Sequence, residues 1–296
     1  MSALRRAHAR SAPLFLLPAA VLLGLFLVWP LLRALAYSFE YRELLRPDSH
    51  RFAGLTQYSG LLVDPRFRRA FANTAVFAVL VVPLQTTLAL LLALWVNRPE
   101  PAWRFLRGVF FAPTVVAMPV LAVVWTILYQ PAHGSEVGPI NAFVMWLGLP
   151  PLQFLGDPRL ALPAVAAMSV WQGVGLQMLV FLAGLKAIPR DLIEAARMDG
   201  ANALERLWFV TLPALRNTLI FVLTVTTVLA FRLFVQPYLM THGGPQGSTR
   251  SLIQCIYELT FLSQDLGRAC AASFLFLGWV AIIALVQRGL LREERA

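Results

Sequence analysis

The sequence predicts an all-α integral membrane protein: a bundle of six transmembrane helices with both termini cytoplasmic. Three observations predict it. Of 296 residues, 58% are hydrophobic and only 14% charged, where soluble domains run nearer about 45–50% and about 25%. Apolar stretches recur at lengths that cross roughly 30 Å of hydrocarbon. The net charge of +10 comes from basic residues placed mainly between those stretches. It therefore reads as membrane topology and not as a nucleic-acid footprint. The same composition excludes disorder, which needs low hydrophobicity.

The first span is expected from about Pro13 to Ala36. A cleaved signal peptide is its rival, because Arg5, Arg6 and Arg10 precede it and Ala34-Leu35-Ala36 resembles a cleavage site. The apolar run is longer than an h-region of roughly 7–15 residues, which favours a retained helix. The second span is expected over Phe71–Trp95, the third over Gly108–Tyr129 and the fourth over Leu160–Leu185. The fifth is expected over Thr218–Met240 and the sixth over Ala269–Val286. Two long outer loops follow, Ser38–Ala70 and Gln130–Arg159. Leu55, Tyr58, Leu61 and Leu62 recur at helical spacing, so Leu55–Phe71 is expected to lie as a short helix at the outer surface.

Basic residues orient the bundle. With the N-terminus inside, the inner segments hold more of them, including Lys186, Arg190, Arg197, Arg206 and Arg216 between the fourth and fifth spans. Arg42, Arg46, Arg51, Arg66, Arg68 and Arg69 in the first outer loop oppose that bias. Cys255 and Cys270 form no CxxC or Cys/His cluster and offer neither a disulfide framework nor a zinc site.

One inner segment differs from its surroundings. Pro189 can start a helix, with Asp191 and Glu194 in the first turns where the helix dipole favours acids. Gly200 can take positive φ and end that helix. Asn202 can cap the next, and Pro213 marks the entry to the fifth span. The expectation is helix, sharp turn, helix, with Ala195, Ala196 and Gly200 forming a surface of low relief.

The run Glu194-Ala195-Ala196, three residues, Gly200, nine residues, Val210-Thr211-Leu212-Pro213 resembles the EAA loop of ABC importer permeases. Asn73-Thr74 resembles the opening of the permease core, and Met240-Thr241-His242-Gly243-Gly244-Pro245, Ser248-Thr249, Ile256-Tyr257 and Gly267 are similar to the carbohydrate, maltose-type subfamily. The resemblance covers about Leu55–Gln287. It implies the type I ABC importer permease fold, as a multi-pass protein of the bacterial inner membrane. Residues 1–69 are then an N-terminal helix and outer loop, 70–288 the permease core and 289–296 a cytoplasmic tail. Implied partners are a second permease subunit in a heterodimer, an ABC ATPase dimer inside and a solute-binding protein outside; no cofactor is implied.

Within that resemblance, Arg190–Pro213 is the coupling element. Glu194 faces basic groups of the ATPase, Ala195 and Ala196 pack, and Asp199 and Gly200 form the turn. Hydrolysis belongs to another chain, since the only lysine, Lys186, sits in no G-x-x-x-x-G-K-[ST] motif.

Polar groups inside spans are costly in lipid and mark a solute path or a helix contact. The fourth span supplies Ser169, Trp171, Gln172, Gly173 and Gln177; the fifth supplies Thr224, Thr226, Thr227, Arg232 and Gln236. A ring such as Trp171 beside hydrogen-bonding groups suits a sugar. The resemblance places sugar contacts at Ser169, Gln172, Gly173, Leu176, Thr226, Ala230 and Leu233, while the asparagines of the maltose-type fifth helix are absent. Arg232 has three open roles: an acidic or phosphorylated solute, a carboxylate of the partner permease, or snorkelling to the interface. The expected function is ATP-driven sugar import, with glycerol-phosphate or polyol import as an alternative. An ion-coupled secondary transporter is the rival from another class. It predicts acidic residues in the spans, and none is present in the six predicted stretches.

Overall fold

The computed structural model describes residues 17–46, 48, 50–131 and 137–290. The predicted start at Pro13, the residues Arg5, Arg6 and Arg10, and 291–296 of the predicted tail lie outside the described residues. Four helices are long and apolar enough to cross a membrane, or up to six if each of two bent pairs is one span.

The chain folds as two compact units. One holds the described residues up to Asp64 together with Ile256–Gly278; the other holds Pro65–Cys255 and the residues from Trp279 onward. In the first unit, helix α1 (Leu17–Tyr37) leads into an antiparallel hairpin of β1 (Glu40–Arg42) and β2 (His50–Phe52), with Tyr41 opposite Arg51. Helix α2 (Thr56–Val63) follows, and its Tyr58 hydroxyl shares a 2.6 Å hydrogen bond with Ser38. At Gly267 a Cβ would meet the Glu40 carbonyl at 2.0 Å, so only glycine lets the hairpin backbone come so close. Arg268 donates to Asp64 at 2.7 Å beside it.

The second unit carries the helices from α3 to α11. Helix α3 (Pro65–Val96) starts six residues before the predicted second span. Asp64 is extended and Pro65 has a pre-set φ, so the surface helix ends at Val63 and a new one begins. Helices α4 (Pro101–Val115) and α5 (Met118–Leu128) replace the straight third span. They bend by 100° across Val116 and Ala117, both extended. Pro113 lacks the donor for its own turn and Pro119 opens the next helix, so the ladder breaks between them. Helix α6 (Pro139–Trp146) lies within the predicted second outer loop. Asn141 fixes that loop by donating to Gln130 and Leu152 carbonyls, both at 3.0 Å, and accepting from the Leu152 amide.

Helix α7 (Ala161–Ala187) is the central element and matches the predicted fourth span closely. Its buried Val174, Met178 and Phe181 pack with Ala89, Ala93 and Val96 of α3 and with Leu215 and Val222. Small residues permit close approach. A Cβ at Gly175 would overlap the Phe110 carbonyl of α4 at 2.0 Å, and one at Gly184 would meet Thr218 at 2.6 Å.

After α7 come α8 (Arg190–Met198) and α9 (Ala203–Ala214). Helix α10 (Arg216–Phe231) leaves α9 at 68°. Helix α11 (Val235–Thr241) follows a break, so the predicted continuous fifth span is interrupted at Arg232–Phe234. Pro237 explains the interruption: its ring would collide with the carbonyl of Leu233, four residues back, in a continuous helix. Instead the Arg232 and Leu233 amides close short turns onto Leu229 and Ala230. The chain ends with α12 (Leu252–Leu262) and α13 (Leu266–Leu290). Within the second unit, Trp279 of α13 meets Phe71 and Phe231, with centroids 4.0 and 4.6 Å away, and Gln287 donates to Thr227.

Candidate functional site

Helices α3, α4, α7 and α10 converge on a cavity of about 630 Å³. From α7 it takes Ser169, Gln172, Gly173, Leu176, Gln177 and Val180. These positions recur at three- and four-residue steps and so share one helix face. Thr226 and Ala230 of α10, then Arg232 and Leu233 of the break, line the facing wall. Eight of the nine residues predicted for the solute path therefore meet around one space. Trp171 does not: it falls off the α7 face, is 43% exposed and stands edge-on to Trp125 at 5.4 Å. Phe77 and Phe221 supply the aromatic rings in the lining instead.

Two contacts order the walls. Gln177, 7% exposed, donates its amide to the Thr226 hydroxyl, which donates to the Val222 carbonyl at 2.6 Å. Thr114 donates to the Gln172 carbonyl at 2.8 Å and pins the bent end of α4 to α7. Sequence reasoning missed Gln85 of α3. Its side chain is 6% exposed, lines the cavity and has no hydrogen-bond partner among the described residues. It lies over Gly173 so closely that a Cβ there would sit 2.3 Å from Nε2. An amide in the middle of the apolar run Phe71–Trp95 was the signal, because such groups are costly in lipid and face a cavity or partner.

Arg232 ends α10 and is exposed to the cavity. It is the single charged residue among the described lining residues. Its guanidinium makes no hydrogen bond or ion pair among the described residues.

A second candidate surface is built by α8 and α9. Gly200 has φ +82°, which ends α8 in the left-handed region as its type allows. Asn202 accepts from the Leu204 and Glu205 amides at 3.0 and 2.9 Å, and Glu205 accepts from the Asn202 amide at 2.7 Å. This capping box satisfies three of the donors that open α9. Glu205 was not foreseen, although the Asn-x-x-Glu spacing announces it. Glu194, Ala195, Asp199 and Gly200 are exposed and Ala196 half-buried. Ile193 turns inward against the core. Leu192, Met198, Leu204, Trp208 and Phe209 are exposed apolar residues on the same segment, Met198 at 88%. Pro213 lies in the last turn of α9, two residues before the bend at Leu215.

At the far end of α10 and α11, Asn73 donates to the Gly247 and Arg250 carbonyls at 2.8 and 3.0 Å. Thr74 accepts from the Leu252 amide at 2.9 Å. These bonds hold the turn that contains Gly243-Gly244-Pro245. A Cβ at Gly243, which has φ +81°, would meet Gln254 at 2.6 Å.

A mostly apolar cavity with a few amide and hydroxyl groups and one guanidinium, set among membrane-length helices, and an exposed helix-turn-helix fit a membrane transport component. Residues 59–293 match the family described as binding-protein-dependent transport system inner membrane component, and the chain belongs to that family. It is 34% identical over 279 residues to the sn-glycerol-3-phosphate transport system permease protein UgpA of Agrobacterium fabrum, covering 92% of this chain and 90% of that one. It is 31% identical over 301 residues to the lactose transport system permease protein LacF of Rhizobium radiobacter, covering 99% and 98%. A bacterial alginate ABC transporter, solved with an alginate pentasaccharide-bound periplasmic protein, contains a chain of the same fold: TM-score 0.82, 21% identity, 97% and 96% covered. The resemblance to ABC importer permeases is borne out.

Proposed function

We propose that the chain is the membrane-spanning permease subunit of an ATP-driven importer that takes a sugar or sugar derivative from an external binding protein into the cytoplasm. The observation that carries this reading is the cavity, which joins hydroxyl, amide and aromatic side chains between helices of an importer family. Ser169, Gln172, Gly173, Leu176, Thr226, Ala230, Arg232 and Leu233 line the path, joined by Gln85. Rings of Phe77 and Phe221 offer apolar faces to the C–H side of a sugar, while Gln and Ser groups meet its hydroxyls. Names of relatives support a carbohydrate or polyol-phosphate solute.

Coupling runs through α8 and α9. Glu194, Ala195, Ala196, Asp199 and Gly200 dock on a separate ATPase, the exposed apolar residues beside them become buried, and closure of the ATPases moves the segment as a lever on α10. A second permease completes the membrane pore, and both termini lie in the cytoplasm. The test is mild detergent extraction from native membranes with mass spectrometry of co-purifying chains. Recovery of an ATPase and a second permease is expected. Recovery of this chain alone, with and without cross-linking, rejects the reading in favour of a self-sufficient transporter.

A further inference from the structure

Arg232 poses a problem of charge. A guanidinium carries five donors and stays protonated. At membrane depth such a group is costly unless it is paired or faces water. Here it lines a cavity, with none of those donors bonded among the described residues. The C-terminal end of α10 favours a cation at this point. That field acts through the backbone carbonyls, and the Leu229 and Ala230 carbonyls already accept from the Arg232 and Leu233 amides. Among the described residues no carboxylate lines the cavity, and the one acid of the bent pair α9–α10, Glu205, is engaged in the Asn202 capping box.

The rest of the lining is mostly aliphatic and aromatic, with a few amide and hydroxyl groups set among it. Gln85 is nine-tenths buried, and its amide has no protein partner among the described residues. Gln172 and Gln236 line the same space. Arg232 lies toward the end of the cavity remote from the α8–α9 segment: it follows the full 16 residues of α10, about 24 Å along the helix at about 1.5 Å per residue, with Val235 and Gln236 lining the cavity beyond it.

We infer that the solute carried through this cavity bears an anionic substituent, a carboxylate, sulfonate or phosphate, and that Arg232 receives it. The inference rests on the reading of the cavity as the solute path. Arg232 is then a specificity residue: it matches two oxygens of the anion with its planar fork, while the amides hold the neutral remainder. The empty state leaves the guanidinium to water in the cavity.

The test uses the whole importer, purified with its native partner chains and reconstituted in liposomes, with binding protein outside and ATP inside. The probes are matched pairs: glucuronosyl-glucose against glucosyl-glucose, 6-deoxy-6-sulfoglucose against glucose, and sn-glycerol 3-phosphate against glycerol. At least one anionic member is expected to enter about tenfold faster than its neutral partner. Arg232→Gln is expected to remove at least about tenfold of that uptake, the scale of one lost charge-assisted hydrogen bond. Arg232→Lys should retain most of it, and both variants should give the complex in wild-type yield.

Uptake of neutral members that Arg232→Gln leaves unchanged overturns the inference while the permease reading stands. Uptake of no anionic member overturns it too. Loss of complex yield in Arg232→Gln, restored in Arg232→Lys, assigns the guanidinium to a carboxylate of the second permease and likewise overturns it. Absence of any co-purifying ATPase removes the permease reading, and the inference with it.

Discussion

At Gly173 the identity of one residue is set by the neighbour it must accommodate. A methyl group there would occupy the place of the Gln85 amide, 2.3 Å away. Gly173→Ala must therefore push the Gln85 amide off the α7 backbone. That amide is the far end of a flexible side chain beside a cavity, so the shift costs little stability and the variant complex should melt close to wild type. Transport should fall, because Gln85 is displaced from the solute path, and Gln85→Ala alone should lower it to a similar extent. Normal transport by both variants would remove the solute role of Gln85.

Elements show where local sequence decides and where it does not. The turn between α8 and α9 is decided locally: Gly200 is at φ +82° and the Asn202–Glu205 box opens α9. Gly200→Ala forces a side chain into the left-handed region, at roughly 1–2 kcal/mol, and Asn202→Ala loses about 1 kcal/mol of capping. No heavy atom lies within 4 Å of a Cβ built at Gly200, so the damage is confined to the turn. Both variants should insert normally and lose uptake in proportion to ATPase co-purified. Glu194→Lys leaves the turn intact and should lose both outright, by charge reversal on an exposed helix. Normal uptake by that variant would remove the coupling role of α8.

The same scale explains what was legible. Helix α7 was readable because its apolar run carries no charge before Lys186 and is closed by Pro189. The bends after Val115 and Phe231 were missed because summed hydropathy records composition and not direction; Pro113 and Pro237 were the local signs. The eight residues that line the cavity were legible as polar or matched positions, yet Trp171 was placed with them on residue type alone. Its helical phase, one step before Gln172, already put it on another face. The contact of Gly175 with the Phe110 carbonyl was not readable at all, because it depends on where α4 crosses α7.

For the whole molecule, the proposed topology makes a claim that no single residue carries. Helix α10 spans about 24 Å and α11 adds about 10 Å beyond the break, at about 1.5 Å per residue. The α8–α9 turn and the turn after α11 should then face opposite sides of a bilayer about 30 Å thick. Asp199 and Gln246 are both exposed and mark the two ends. The native thiols, Cys255 and Cys270, are both buried, so introduced cysteines can be read over a low background. In sealed inside-out vesicles an impermeant maleimide should label Asp199→Cys and spare Gln246→Cys; in intact spheroplasts the order should reverse. Labelling of both from one side would mean that the α10–α11 break turns the chain back, as a re-entrant pair does. The crossing count would then fall to an odd number and the two termini would lie on opposite sides. The excess of basic residues around Lys186–Arg216 over the turn after α11 argues for the first outcome, since positive charge is retained on the cytoplasmic side.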